Sequence, residues 1–128
     1  MPAAPLHQVL VVDDDPEFRT LVRTFLAGSD FSLSEAVDGV AALHLMKHRR
    51  FDALIVDIVM PEGEGLETIR EVHRLYPDCR ILVTSGASFR DVYFQSARLL
   101  GAQWILEKPV SREQLYAGLN RLACRPRC

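Results

Sequence analysis

The stretch that decides the fold reads Ala-Leu-Ile-Val-Asp-Ile-Val-Met-Pro over residues 53–61. Its apolar run leads into an aspartate. Two other apolar runs lead into charged residues in the same way, at 9–15 (Val-Leu-Val-Val-Asp-Asp-Asp) and at 105–109 (Ile-Leu-Glu-Lys-Pro). Short apolar runs bounded by turn residues are typical of buried strands in a parallel sheet. Because ligands of open α/β sheets bind at the carboxyl ends of the strands, the sequence predicts a charged site at one edge.

Length and composition indicate a single globular domain. The 128 residues carry 15 basic and 17 acidic side chains, and a formal net charge of −2 argues against a direct role in nucleic-acid binding. No apolar run approaches the ~20 residues of a membrane span. Three cysteines without paired spacing, and a start without a targeting pattern, favour a reducing compartment, so we expect a cytoplasmic protein. We expect one domain over residues 1–128, with its core at about 7–124 between a short arm and a short tail.

Helical and strand patterns alternate along the chain. Apolar residues recur at helical spacing between the short apolar runs, and Gly or Pro marks most of the boundaries. Such alternation predicts an α/β domain in which a parallel sheet carries helices on both faces, with right-handed crossovers. The predicted strands lie near residues 8–12, 32–35, 53–56, 80–84 and 104–107, and the predicted helices near 16–27, 39–48, 66–76, 89–100 and 111–122.

Aspartates at the ends of two predicted strands are candidates for phosphoryl and metal chemistry. Asp57 follows the third strand, and a carboxylate is a competent nucleophile toward phosphorus. Asp13 and Asp14 follow the first strand, and three carboxylates in close proximity repel one another unless a cation lies between them. Mg²⁺ (or Mn²⁺) suits such oxygen ligands. Asp15 fits a different role, as the N-cap of a helix that Pro16 opens.

Side chains at two further strand ends complete the predicted site. Lys108 follows the fifth strand and would place an ammonium against a phosphoryl oxygen. Ser85 offers a hydroxyl at the end of the fourth strand, and Thr84 is the alternative. Gly86 has no side chain, so we expect it to leave room for the phosphoryl group.

Five motifs extend this pattern along the chain. They are Val11-Val12-Asp13-Asp14, Asp57-Ile58-Val59-Met60-Pro61 with Gly65, Thr84-Ser85-Gly86, Gly101-Ala102 and Lys108-Pro109. Together they closely resemble the receiver domain of two-component response regulators, of which the chemotaxis receivers are stand-alone examples. The resemblance covers about residues 7–124 and implies a flavodoxin-like (βα)5 fold with five parallel strands in the order 2-1-3-4-5.

The resemblance implies a role for each acidic residue of the predicted site. Asp57 would accept a phosphoryl group from a phosphohistidine on a sensor histidine kinase or a histidine phosphotransfer protein. Asp14 would bind Mg²⁺ directly and Asp13 partly through water, with the backbone carbonyl of Val59 as a further ligand. Such a chain would accept a phosphoryl group without being a turnover enzyme.

The resemblance also implies how the phosphoryl group would be sensed. Ser85 would swing to hydrogen-bond it, Lys108 would pair with it, and the Lys108–Pro109 peptide bond would be cis. Receivers usually carry an aromatic residue three positions before this lysine, where it turns inward on activation. This chain has Ile105 there, with Trp104 beside it. We therefore expect a smaller rotamer change in place of the aromatic switch.

A second departure concerns the lifetime of the phosphoryl group. The positions two beyond Asp57 and two beyond Ser85 are Val59 and Ala87, and neither side chain carries a polar group. An attacking water would therefore lack an orienting partner. We predict slow self-dephosphorylation.

Output from such a receiver would pass through protein–protein contact or through onward phosphotransfer. The resemblance places the output surface on the fourth helix, fifth strand and fifth helix of a monomer or weak homodimer, without nucleic-acid or membrane binding. The predicted fourth helix carries more aromatics than one buried stripe uses, and aromatics are enriched at interfaces. These aromatics are Phe89, Tyr93 and Phe94.

Three other interpretations stay open. Residues 13–16 contain the Asp-x-Asp spacing of aspartate-nucleophile phosphatases, which also use Mg²⁺ and a lysine, but Asp57 and the residues after it would then be unexplained. The chain could be a piece of a longer regulator or kinase. It could also be a scaffold that has lost phosphorylation, although the complete residue set argues against this.

His44 and His48 fit a solvated helix face better than a metal site.

Overall fold

The computed structural model describes residues 8–58, 64–86 and 90–123. Two of the predicted features fall outside these residues, the backbone carbonyl of Val59 and the side chain of Ala87. The three aromatics predicted for the fourth helix, Phe89, Tyr93 and Phe94, also have side chains outside the described part.

Strands and helices alternate along the described residues, as the sequence pattern predicts. The strands are β1 (Gln8–Val12), β2 (Ser32–Ala36), β3 (Ala53–Asp57), β4 (Arg80–Ser85) and β5 (Trp104–Glu107). The helices are α1 (Pro16–Leu26), α2 (Gly39–His48), α3 (Glu64–Leu75), α4 (Arg90–Leu100) and α5 (Arg112–Ala123).

All five strands run parallel in one sheet, in the order β2-β1-β3-β4-β5. This confirms the predicted flavodoxin-like topology. The order changes direction between β1 and β3, because the chain leaves β1 toward β2 on one side and returns to β3 on the other. Ligands of doubly wound sheets bind above the strand ends at such a reversal point.

Two apolar layers cover the two faces of the sheet. Helices α2, α3 and α4 pack on one face, and helices α1 and α5 pack on the other. The three central strands are buried on both faces, which explains why their sequences are apolar at successive positions. On the first face lie Leu10, Val12, Leu54, Val56, Ile69, Val72, Ile81 and Val83, and on the second Val9, Val11, Phe18, Val22, Ile55, Leu82, Leu115 and Leu119.

Three strands extend one residue beyond their predicted ends, and in two of them the extra residue belongs to the predicted site. Asp57 is part of β3, where it pairs in register with Thr84. Ser85 is part of β4 and pairs with Glu107. The apolar pattern places the boundary before these polar residues, but backbone pairing continues to them because each neighbouring strand offers a partner. The backbone at Asp57 and Ser85 is therefore extended, and strand alternation sets the direction of both side chains.

Side-chain caps and a glycine mark the ends of several helices, and the first of them is the predicted N-cap. The Asp15 side chain accepts a hydrogen bond from the amide of Glu17 at 3.0 Å and caps α1. Ser111 and Gln114 form a capping box at the start of α5, with bonds of 3.1 and 2.9 Å. Gly101 ends α4 with φ of +129°. Among the described helices, each one is too short or too polar to span a membrane.

Candidate functional site

Three carboxylates gather at the carboxyl edge of the sheet, at the reversal point between β1 and β3. Ligand oxygens of Asp13, Asp14 and Asp57 lie within 4.8 Å of one another. The pairing of β1 with β3 sets this arrangement, because Val12 and Val56 are register partners and an aspartate follows each. The structure thus brings together the three acidic residues that the sequence predicts for the site.

The three carboxylates differ in their burial. Asp13 is fully buried and Asp57 is 7% exposed, whereas Asp14 is exposed. The Asp13 carboxylate is held on both oxygens, because Oδ1 accepts from the amide of Asp15 at 2.9 Å and Oδ2 accepts from the ammonium of Lys108 at 2.8 Å. Asp14 therefore lies where solvent or an ion reaches it, and Asp13 lies beneath it.

Lys108 supplies the cation that balances this acidic cluster. Its Nζ lies 2.8 Å from Oδ2 of Asp13 and 3.4 Å from Oδ2 of Asp57. It also lies 4.3 Å from the centre of the Phe18 ring, which adds a cation–π contact. Burial alone lowers the pKa of Lys108, but the carboxylates of Asp13 and Asp57 outweigh burial and raise it above its usual value. The ammonium therefore stays charged.

The backbone around Lys108 ties β5 to the end of β4. The Lys108 amide donates to the carbonyl of Ser85 at 2.8 Å. The peptide bond between Lys108 and Pro109 is cis, as predicted. A Cβ on Gly86 would meet the Lys108 side chain at 3.4 Å, so the space next to this glycine is occupied by the lysine itself.

Both candidate hydroxyls lie beside the end of β3. Thr84 is the register partner of Asp57, so the two side chains project from the same face of the sheet. Ser85 is one residue nearer the edge and projects from the opposite face. Thr84 is fully buried, and its Oγ1 has no hydrogen-bond partner within the described residues. Ser85 is 1% exposed. The face shared with Asp57 and the unpartnered hydroxyl favour Thr84, the alternative in the sequence prediction, over Ser85.

Gly65 at the start of α3 packs directly on the backbone that follows β3. A Cβ at this position would collide with the carbonyl oxygens of Asp57 and Ile58. The close approach of α3 to the acceptor strand therefore requires a glycine. The sequence carries this residue within the recognised motif, but its physical reason becomes visible only when the helix lies against the strand.

Two residues that contact the site could not be predicted from the sequence. Phe18 looks like a core residue of α1 because it repeats at helical spacing, yet its ring also contacts Lys108. Arg19, the next residue, donates from Nη1 to the backbone carbonyl of Asp13 at 2.7 Å. Its only sequence signal is a basic residue one turn after the acidic stretch, and such residues are common on exposed helix faces.

Two hydrophobic side chains of β5 lie on different faces of the sheet. Ile105 is the register partner of Val83 and is partly buried. Trp104 packs instead against α5, where a Cβ on Gly118 would lie 2.8 Å from the Trp104 ring. The guanidinium carbon of Arg121 lies 5.2 Å from the centre of the same ring. Trp104 therefore does not replace the aromatic residue that receivers usually carry at position 105.

The two histidines that the sequence singles out lie on the outside of α2. His44 and His48 are exposed, and their ring centroids are 5.1 Å apart in an edge-on arrangement. Within the described residues, the one cluster of three or more potential metal ligands is the aspartate group at the carboxyl edge. The exposure of His44 and His48 matches the solvated helix face that the sequence favours.

Comparison with known proteins gives consistent matches over most of the chain. The model of the response regulator receiver domain matches residues 9–120. A curated relative named response regulator MprA, from Mycobacterium sp. (strain KMS), is 37% identical over 117 residues, which are 90% of this chain and 50% of the relative. The protein of that name from Mycobacterium tuberculosis (strain ATCC 25177 / H37Ra) gives the same figures. The chain thus spans about half the length of the curated relatives it matches.

Solved structures match over nearly the whole domain. The chemotaxis protein CheY4 of Vibrio cholerae superposes with a TM-score of 0.83 and 30% identity, covering 91% of this chain and 98% of that one. The signal receiver domain of an HD domain-containing protein from Pseudomonas fluorescens Pf-5 gives a TM-score of 0.88 at 21% identity, with 96% and 90% coverage. The second match shows the shared fold alone.

Proposed function

This chain belongs to the response regulator receiver domain family, which acts in two-component signalling, and from that membership we propose that Asp57 is its phosphoacceptor. The proposal rests on the position of Asp57 and on the charged groups around it. The residue ends a buried strand, lies in a group of three carboxylates and has the Lys108 ammonium 3.4 Å from its Oδ2. Receiver domains are in general not enzymes, and here too the phosphorylated protein would be the product.

The donor set suits a divalent cation. Three carboxylates lie within 4.8 Å of one another, and one ammonium neutralises only part of their charge. The remaining negative charge suits a small hard cation. Asp14, which is exposed, would hold Mg²⁺ (or Mn²⁺) directly, Asp13 partly through water, and Asp57 through one oxygen. The Val59 carbonyl, proposed as a further ligand, lies outside the described residues. When bound, the ion supplies positive charge that stabilises the phosphoryl oxygens in transfer.

The residues of this chain then have separate tasks in transfer. An oxygen of Asp57 attacks phosphorus, so a bond from that oxygen to phosphorus forms while the bond from phosphorus to the donor histidine nitrogen breaks. The leaving imidazole takes up a proton from solvent. Lys108 moves its contact from the carboxylate to a phosphoryl oxygen. The hydroxyl of Thr84, which shares the face of Asp57, or that of Ser85 donates to another phosphoryl oxygen.

The proposed partners follow from this chemistry. The donor is a sensor histidine kinase or a histidine phosphotransfer protein. Output passes to a target protein, or onward as a phosphoryl group, through the face formed by α4, β5 and α5, with the protein acting as a monomer or weak homodimer. Ile105, the register partner of Val83, would relay the change by a small rotamer adjustment.

Slow loss of the phosphoryl group is a further part of the proposal. Val59 and Ala87 carry no polar side chain to orient water, so introducing Val59→Asn together with Ala87→Glu is expected to shorten the phosphoryl lifetime by about tenfold or more. The lifetime is measured by intact mass after removal of the donor. An unchanged lifetime in the double variant would show that these positions do not control hydrolysis.

The proposed function is tested by incubating the protein with Mg²⁺ and acetyl phosphate. We expect one acid-stable, base-labile phosphoryl group per chain, and no labelling when the metal is chelated. Continuous turnover of a generic phosphomonoester would instead support an aspartate-nucleophile phosphatase. Failure to label in the presence of Mg²⁺ would support a scaffold that has lost phosphorylation.

A further inference from the structure

We infer that Arg19 is a positioning residue for the metal site, acting through the backbone between Asp13 and Asp14. This inference rests on the proposed function, because it concerns how the acidic residues of that site are held ready for a cation. Neither the motif pattern nor the identity of the metal ligands assigns a role to this arginine.

Asp13 is the first residue beyond β1, so the sheet holds it incompletely. Its amide donates to the carbonyl of Ala36 at 3.1 Å, which extends the ladder with β2 by one bond. Its own carbonyl accepts from Nη1 of Arg19 at 2.7 Å. A bond of this length from a guanidinium is charge-assisted and stronger than one between neutral groups.

The Arg19 guanidinium is itself held from a third element. Its Nε lies 3.3 Å from Oε1 of Glu35 on β2, and the other carboxylate oxygen of Glu35 accepts from Nε of Arg23 at 2.8 Å. The Arg19 side chain is 16% exposed, compared with 59% for Arg23. Arg19 therefore links α1, β2 and the end of β1, whereas Arg23 contacts Glu35 from the surface.

The carbonyl that Arg19 binds belongs to the peptide unit joining the two proposed metal ligands. A peptide unit is planar, so holding the oxygen of Asp13 also orients the amide and Cα of Asp14. The carboxylates of this stretch repel one another and would favour an open loop. The bond from Arg19 opposes that movement and keeps both aspartates oriented before a cation arrives. Preorganised ligands bind with less loss of conformational entropy.

Charge and position predict opposite effects for the loss of this arginine. Removing a positive charge near a cation site favours cation binding by simple electrostatics. Releasing the peptide unit between two ligands weakens binding, and loss of a group that orients metal ligands typically costs about 10–100-fold in affinity. The sign of the change in metal affinity therefore separates positioning from charge.

The test compares Arg19→Gln with Arg23→Gln in the full chain, by titration calorimetry with Mg²⁺ and Mn²⁺ in the absence of a phosphodonor. Both variants remove one positive charge and one bond to Glu35, but only the first loses the contact with Asp13. We expect the Kd of Arg19→Gln to rise about tenfold. We expect that of Arg23→Gln to stay within about twofold of the wild type, because its ion pair is exposed.

Two further variants keep the inference testable if Arg19→Gln does not fold. Arg19→Lys retains the charge but cannot bind the Asp13 carbonyl and Glu35 as a fork, and Glu35→Gln loosens the guanidinium, so each should weaken metal binding partially. Urea unfolding of every variant separates affinity from stability. A loss of stability with unchanged Kd in the Arg19 variants would overturn the inference, as would metal binding by Arg19→Gln and Arg19→Lys that equals or exceeds that of the wild type.

The wild-type arm reports separately on the proposed function. If the wild type binds Mg²⁺ and accepts a phosphoryl group while Arg19→Gln binds as tightly, the positioning role alone is wrong. If the wild type binds no Mg²⁺, the proposed metal site fails and the role of Arg19 fails with it.

Discussion

The two edges of the sheet place the same residue type in contrasting surroundings, and β3 joins them. Asp52 precedes the strand at the amino edge, where its Oδ2 accepts from the amide of Gln8 at 3.0 Å and its Oδ1 lies 3.7 Å from Nε of Arg50. Asp57 ends the strand at the carboxyl edge, among other carboxylates and beside the Lys108 ammonium. One aspartate ties two backbone segments together, and the other belongs to a cluster in which opposite charges are enclosed.

The cations of the two edges differ as well. At the amino edge a groove of about 480 Å³ between the ends of α2 and α3 is bordered by Lys47, Arg49 and Arg50. The Arg50 side chain is 81% exposed, whereas that of Lys108 is 21% exposed. Basic residues at the end of a helix are favoured by its dipole and need no ligand to explain them. The comparison teaches that the burial of carboxylates and an ammonium together, and not the mere presence of charge, distinguishes the candidate site.

The largest expected effect comes from substituting, one at a time, the two aspartates at either end of β3. Asp57→Asn should abolish labelling by acetyl phosphate, because an amide oxygen is a far weaker nucleophile toward phosphorus than a carboxylate. Asp52→Asn should label fully while losing about 1–2 kcal/mol of unfolding free energy, since its bond to the Gln8 amide weakens. Intact mass spectrometry and urea unfolding measure the two outcomes. If Asp52→Asn were folded but did not label, the two edges of the sheet would not differ in the way proposed.

Removing one cation from each edge should give the next largest difference. Without metal, Lys108→Met is expected to lose about 1–3 kcal/mol of unfolding free energy, because it removes the positive charge that lies beside two enclosed carboxylates. Arg50→Met should change stability by less than about 0.5 kcal/mol. Added Mg²⁺ should restore part of the loss in Lys108→Met by taking over the charge balance. Thermal unfolding with and without Mg²⁺ measures this, and equal losses in both variants would contradict it.

Adding a methyl group at Gly65, beneath the carboxyl edge, should have a moderate effect on stability and labelling. Gly65→Ala forces a Cβ against the carbonyl oxygens of Asp57 and Ile58, so we expect a loss of about 1–3 kcal/mol and slower labelling. Gly86→Ala is the control for stability alone, because its Cβ would make a 3.4 Å contact with Lys108 beside the proposed phosphoryl site. If Gly65→Ala were as stable as this control and as readily labelled as the wild type, α3 would not need to approach the strand so closely.

The smallest effect concerns a buried thiol at the amino edge. Burial, with a contribution from Asp52, raises the pKa of the Cys79 thiol to about 12. The unfolded chain releases this proton near pH 9, so the folded state binds more protons above that pH and its stability falls as pH rises. We expect a loss of about 1 kcal/mol by pH 10 that is absent from Cys79→Ala. Parallel stability curves for the two proteins between pH 8 and pH 10, within about 0.3 kcal/mol, would rule this out.

Most of the fold and the grouping of the main candidate residues could be predicted from the sequence, because short apolar runs and strand-end charges are local signals. The strand order came from the resemblance. The contact of Phe18 with Lys108 and that of Arg19 with the Asp13 carbonyl could not be predicted, because they depend on how α1 lies against the strand ends. The exact ends of β3 and β4 were also missed, since pairing with a neighbouring strand decides whether a polar residue stays in the sheet.

The most direct measurement is to locate the phosphoryl group on the wild-type protein after incubation with Mg²⁺ and acetyl phosphate. Peptide mapping, after the acyl phosphate is trapped by borohydride reduction, identifies the residue that carries it. The proposed function predicts a single modified position, Asp57, at the carboxyl edge of β3. Modification at Asp13, Asp14 or Asp52, or modification distributed over several carboxylates, would contradict it.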